Sequence, residues 1–217
     1  MHINNDIRPL HRIAVQASVD VVSLVSADDL ALPTPCDGWN LANLLAHMTV
    51  QHRGFAAAAR GHGDDEAVWQ THTVAAAVAA DPAGAYAAAA ADVLDAFAGA
   101  DVLDASFALP ELGPGAAFPA AMAIGFHHVD YVVHGWDVAR TLGRSYELPD
   151  DVVAAAVPLA FVVPDGDFRT IDNAPFGPAI PSTDPADDLD RILAYLGRSP
   201  QWRPTVVQAA VVVGGPR

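Results

Sequence analysis

The sequence predicts a mainly all-α protein, a four-helix bundle with a short helical extension after it. Three observations carry that expectation. Apolar types make up 52% of the 217 residues and charged types only 17%, and much of the apolar share is alanine, which favours helix and lets helices approach closely. Apolar residues recur at three- and four-residue spacing over four long segments. Clusters of proline and glycine separate those segments and cannot continue a helix.

The first helix is expected over residues 5–30, where Ile7, Leu10, Ile13, Ala14, Ala17, Val21, Leu24 and Val25 share a face. Leu32-Pro33-Thr34-Pro35-Cys36-Asp37-Gly38 stops it. A second helix is expected over 40–60, capped by Asn40 or Asp37, with Leu41, Leu44, Leu45 and Met48 as its apolar stripe and His47 beside that stripe. The third runs over 82–98 behind Asp81-Pro82, a fitting cap and first position. Residues 101–119 read as a long connection. The fourth helix covers 120–142 and stops at Gly143. A shorter helix follows at 150–160, then a Pro/Gly-rich stretch at 164–181, then a last helix opened by Asp184-Pro185 and running through Leu189, Ile192, Leu193 and Leu196 to Gly197. The expected division is 1–148 for the bundle and 149–217 for the extension packed on it. The tail from residue 205 reads as a strand, a helix extension or a partly disordered segment.

The formal net charge is -15, from 26 Asp and Glu against 11 Lys and Arg. Such a surface repels phosphate backbones and anionic lipid, so neither a nucleic acid nor a membrane is an expected partner. The single cysteine forms no intrachain disulfide, the N-terminal run has no signal-peptide pattern, and no stretch of about 20 residues is apolar throughout. A cytoplasmic monomer or homodimer is expected.

The fourth helix holds the chemistry: Phe126-His127-His128-Val129-Asp130-Tyr131-Val132-Val133-His134-Gly135-Trp136-Asp137. Asp130 and His134, four apart, lie one turn apart on one face and can converge on a divalent ion. The surrounding valines indicate a largely buried helix, where ionisable groups need partners. His47 is the best-placed third ligand, with a core histidine bonded to a carbonyl as its plain alternative. His127, a turn before Asp130, is the alternative third ligand. Asp137 either orients His134 from behind or bonds to backbone. Cys36 precedes a helix and reads as a nucleophile or, with more weight, as a small structural residue of its turn. Trp39, Phe126 and Trp136 read as core aromatics, with Trp39 anchoring its loop to the second helix, and His52, His62, His72 and His128 read as surface residues.

Thr34-Pro35-Cys36-Asp37-Gly38-Trp39 leading into Leu44-Leu45-Ala46-His47, together with His134-Gly135-Trp136-Asp137-Val138-Ala139-Arg140, resembles the DinB-like superfamily. Within it, the chain is similar to the actinobacterial branch that contains the mycothiol-dependent maleylpyruvate isomerase N-terminal domain. The segment from Asp188 to Arg198 is similar to the closing motif of uncharacterised metal-binding members of that branch. The resemblance implies a four-helix bundle whose second and fourth helices bind a divalent metal, usually zinc, through His47, Asp130 and His134. Two departures stand out. The isomerase has glutamate where this chain has the shorter Asp130. Its additional domain supplies a substrate arginine, and none of Arg140, Arg169 and Arg198 is assignable to that role by motif.

The leading expectation is therefore a thiol-dependent transferase or isomerase that uses mycothiol, a small-molecule thiol, on an electrophilic substrate. The alternatives are a metal-dependent hydrolase assisted by Asp137 or His127, and a non-catalytic metal- or partner-binding module. No catalytic residue is assignable from the sequence.

Overall fold

The computed structural model describes residues 6–170, 176–181 and 187–204. The start of the last helix at Asp184-Pro185 and the tail from 205 fall outside the described residues. Seven α-helices and one two-stranded hairpin make up the described chain: α1 Arg8–Val22, α2 Leu41–Ala59, α3 His72–Ala80, α4 Pro82–Phe97, β1 Ser106–Ala108, β2 Ala117–Pro119, α5 Ala120–Thr141, α6 Asp150–Ala160 and α7 Asp188–Tyr195. The mainly all-α class is as the sequence predicts.

The bundle consists of α1, α2, α4 and α5, with α1 laid along α5 and α2 along α4. Local signals account for most helix ends. Asn40 Oδ1 accepts from the Asn43 N–H at 2.9 Å, which fixes the start of α2, and Asp81 caps α4 through the Gly84 N–H at 2.9 Å. The α1 helix is shorter than its apolar pattern. Ser26 takes an extended backbone, and its N–H and hydroxyl both donate to Asp29 Oδ2 at 2.9 and 2.7 Å, so the chain turns there.

Two segments read as connections are structured. Residues 72–80 form α3, whose Val74 and Val78 are both buried and sit one turn apart. The 101–119 connection holds the β1–β2 hairpin, antiparallel with Phe107 opposite Phe118. It packs across α2 and α5.

The C-terminal elements share a core with the bundle. Ala14, Val132, Val133 and Trp136 meet Val152, Ala156, Ile192 and Leu193 in one apolar cluster, which seats α6 and α7 against α1 and α5. Arg169 adds a buried set of contacts, donating from Nε to the Pro164 carbonyl and from its terminal nitrogens to the carbonyls of Val163 and Gly177.

A second interior feature is polar. His11 Nε2 lies 2.7 Å from His127 Nδ1, and His127 Nε2 lies 3.2 Å from His52 Nδ1, all three rings buried between α1, α2 and α5. His52 also stacks on Tyr131 with ring centroids 4.0 Å apart. Thus His52 is no surface residue. Neither is His128, whose Nε2 faces the Val152 carbonyl at 3.0 Å under α6. Neighbours cover α2 and α5 on several sides, and that girth takes both histidines inside despite their polar type. His62 and His72 are exposed as expected.

Burial holds His11 down at about 3, and holds His52 and His127 well below the ordinary histidine value of 6.5. The unfolded chain takes up these protons as pH falls below about 6.5, while the folded chain does not. The stability these groups contribute is therefore present above that value and lost as pH falls towards about 3. The slope approaches about 1.4 kcal/mol per pH unit for each histidine. Urea titrations at pH steps across this window should show a steep acid loss of stability that becomes shallower in His127→Gln; equal slopes would contradict the assignment.

Candidate metal centre

The turn before α2 positions the first elements of the site. Thr34 Oγ1 donates to the Trp39 carbonyl at 3.0 Å and accepts from the Cys36 N–H at 3.2 Å. Gly38, at φ +73, supplies the left-handed step that such a closed turn needs. This directs Cys36 inward and leaves Trp39 38% exposed, not in the core as expected. Trp39 instead stands over His47, with ring centroids 5.1 Å apart. Both line a cleft of about 380 Å³ with Asn43, Ala46, Thr71 and His72. Trp136 is buried as expected, and Phe126 is half-buried.

The α5 helix presents Asp130 and His134 to α2. His134 Nε2 lies 3.3 Å from Asp130 Oδ1, and the His47 and His134 ring centroids are 5.2 Å apart. One ligand atom from each of His47, Asp130 and His134 lies within 4.8 Å of the other two. A tetrahedral ion with bonds of about 2.0–2.1 Å spaces its ligands by about 3.3 Å, so the Asp130–His134 pair already stands at ligand spacing. The donor chemistry also fits a divalent cation. Burial lowers His47 to about 4 against the pull of Asp130, so its imidazole is neutral and offers a lone pair. Burial also works to raise the Asp130 carboxyl, but His134 and then His47 outweigh it and hold it below the usual value. Desolvation likewise lowers His134, yet Asp130, Asp137 and Cys36 together hold it well above the ordinary value, a proton standing where a cation would be welcome.

Behind His134 lies a second group. His134 Nδ1 is 2.9 Å from Asp137 Oδ2, the Cys36 thiol donates to the same oxygen at 3.1 Å, and Arg198 reaches both, 3.5 Å from Asp137 Oδ2 and 3.4 Å from Cys36 Sγ. Asp137 thereby accepts from His134 Nδ1, fixes the ring orientation and leaves Nε2 for the open side. Cys36, His134 and Asp137 are themselves close enough to hold an ion. The Arg198 guanidinium already supplies a cation there, and the Asp137 side chain is 0% exposed whereas that of Asp130 is 23% exposed. The His47–Asp130–His134 face is the one a ligand can enter.

His127 does not join these residues. It precedes His134 by seven positions, about 10 Å along the helix axis, and is held by His11 and His52. Arg198, one of three arginines that no motif assigns, carries a single signal in the sequence, its place at the end of the closing motif, and tertiary packing alone sets its contacts. The glycine of His134-Gly135-Trp136-Asp137 has a steric reason, since a Cβ there would collide with the Tyr146 hydroxyl.

A sequence model of the mycothiol maleylpyruvate isomerase N-terminal domain matches residues 11–139, more than half of the chain. The chain belongs to that family. The matched span contains His47, Asp130 and His134, whereas Arg198 lies beyond it. Two full-length relatives are the uncharacterized proteins MT0763 and Rv0738 of Mycobacterium tuberculosis, each 28% identical over 190 residues that cover 87% of this chain and 96% of the relative. Solved structures of the mycothiol-dependent maleylpyruvate isomerase and of a histidine-to-alanine mutant share the fold, at 15% and 14% identity and TM-scores of 0.52 and 0.54. Each match covers 68% of this chain and 65% of the solved one. This family member thus spans about two thirds of the length of the isomerase, whose remaining part has no counterpart in the match. Among the described residues no helix is long and apolar enough to cross a membrane.

Proposed function

We propose that this family member is a mycothiol-dependent isomerase or transferase in which His47, Asp130 and His134 hold a divalent metal ion, zinc being the first choice. The observation that carries the reading is the convergence of those three side chains on a solvent-open face, with His134 oriented from behind by the buried Asp137. Family membership supports the thiol. A divalent cation bound there stabilises thiolate over thiol and leaves a position open, as catalytic sites with three protein ligands do.

The chain's own residues set the rest. His47 stays neutral and Asp130 ionised, so once the ion takes the place of the His134 proton the set carries a single negative charge that suits a dication. The cleft beside His47, with Trp39 on its rim and Asn43 and Thr71 within, receives the body of the thiol or its electrophile. Asp137 and Arg198 keep His134 from rotating. The hydrolase alternative loses its assistants: Asp137 is sealed behind His134, and His127 belongs to the buried histidine chain. We read the described part of residues 149–217 as a brace that delivers Arg198, not as an independent substrate-binding unit.

The test is incubation of zinc-loaded protein with mycothiol and maleylpyruvate. Isomerisation or conjugation that requires the thiol and disappears in His134→Ala is the expected result. Turnover without added thiol, or none in either condition, would contradict the reading.

A further inference from the structure

Trp39 is an exposed aromatic on a tightly held backbone. Its carbonyl accepts from the Thr34 hydroxyl at 3.0 Å and from the Thr34 N–H at 3.2 Å, and its own N–H donates to the Cys36 carbonyl at 3.0 Å. The turn thus keeps a large apolar ring out of the core at a fixed place, whereas Trp69 and Trp136 go inside at 4% and 2% exposure. Leaving an indole in water forgoes the burial that usually justifies one, so its position asks for another partner. The ring stands 5.1 Å from that of His47, centroid to centroid, and His47 stands 5.2 Å from His134. An aromatic face therefore adjoins the ligand set directly.

The rest of the cleft is small and uncharged. Alanines of α2 and α3, Ala46 and Ala75 among them, leave the space of about 380 Å³, and Asn43, Thr71 and His72 supply polar groups. Asn43 Oδ1 is taken by the Asn40 N–H at 3.3 Å. Its amide nitrogen, the Thr71 hydroxyl and Trp39 Nε1 have no protein partner among the described residues. No Lys, Arg, Asp or Glu lines the cleft, although the chain carries a net charge of -15. An aromatic face ringed by uncharged donors and acceptors suits a neutral, hydroxyl-rich ring, whose C–H face lies on the indole while its hydroxyls meet the polar groups. A ligand that bears carboxylates finds no Lys or Arg there and meets an acidic surface outside.

We propose that Trp39 is the specificity-determining residue of the thiol site, an inference that rests on the thiol-dependent reading above. Its indole stacks on a sugar or cyclitol ring of a neutral thiol held by its sulfur at the His47–His134 face, and the uncharged cleft disfavours anionic thiols such as glutathione. Mycothiol has the matching chemistry: a capped cysteine carried on a sugar and a cyclitol, without a carboxylate.

The test uses the full chain loaded with zinc, with metal content measured in wild type, Trp39→Phe and Trp39→Ala. Calorimetry gives affinities for mycothiol, for glutathione and for 2-mercaptoethanol, which has no ring to stack. Wild type should bind mycothiol at least about tenfold more tightly than glutathione. Trp39→Ala should cut the ratio of mycothiol to 2-mercaptoethanol affinity by about 10–100-fold, and Trp39→Phe, which keeps an aromatic face, by less than about fivefold. A second readout does not depend on the sulfur. S-methylmycothiol, which has no S–H to lose, should change the indole emission of wild type, and that change should vanish in Trp39→Phe. An unchanged ratio in Trp39→Ala, or equal affinity of wild type for mycothiol and glutathione, would overturn the role of Trp39 and leave the thiol reading standing. Loss of zinc from Trp39→Ala without an emission change in wild type would reduce Trp39 to a support for His47 and overturn the proposal as well. Wild type that binds none of the three thiols would overturn the thiol reading, and the emission change alone would then decide the role of Trp39.

Discussion

Asp130→Ala should abolish tight zinc uptake while His127→Ala leaves it intact, and the two variants should differ in the opposite sense in stability. Asp130 stands 3.3 Å from His134 Nε2 with part of its surface open, so its loss removes a ligand and little packing. Removing a ligand should weaken zinc by more than the 10–100-fold typical of an outer partner. His127 is fully buried and holds His11 and His52 from either side. Truncating it leaves a cavity and two unsatisfied ring nitrogens, at a cost of about 3–5 kcal/mol. Competition against a chromogenic chelator and urea titration on the same preparations measure both. Loss of zinc in His127→Ala with retention in Asp130→Ala would invert the assignment of the third ligand.

Arg198→Met should be the change outside the ligands that most damages the metal centre itself. The methionine keeps the stem but leaves Asp137, 0% exposed, with only the His134 imidazole and the Cys36 thiol beside it. Breaking a buried pair from one side costs about 3–5 kcal/mol, and the 3.5 Å separation puts this pair near the lower end. Zinc affinity should fall by about 10–100-fold as His134 loses its fixed orientation. Arg198→Lys should recover part of the affinity, because the charge returns without the planar fork that holds the Leu196 carbonyl from one nitrogen and reaches Cys36 and Asp137 from the other. Denaturation and chelator competition decide it; a variant within about 0.5 kcal/mol of wild type would deny Arg198 this role.

Much of this is legible in the chain. The four bundle helices follow from apolar spacing and from caps at Asn40 and Asp81, and the Asp130–His134 pair follows from i,i+4 geometry. What the sequence hid depends on how many neighbours each helix has. Alanine-rich helices pack closely, so α2 and α5 are covered on faces that a single apolar stripe would leave open, and His52 and His128 go inside. Trp39 errs the other way, because the turn closed by Thr34 aims it along the surface of α2. The α3 helix carried a readable signal in Val74 and Val78, obscured by the surrounding alanines. Three-residue strands such as β1 and β2 are too short to show a period. Arg198 meets the site from 64 positions after His134, a distance over which no spacing rule operates.

The central claim is a metal ion held by His47, Asp130 and His134, and elemental analysis of protein prepared without a histidine tag tests it most directly. The account predicts about one zinc or other divalent ion per chain after zinc loading and desalting, lost in His47→Ala and in His134→Ala and retained in His62→Ala, whose side chain is exposed and remote from the site. Metal-free protein that takes up no zinc, or uptake that survives loss of both His47 and His134, would contradict it.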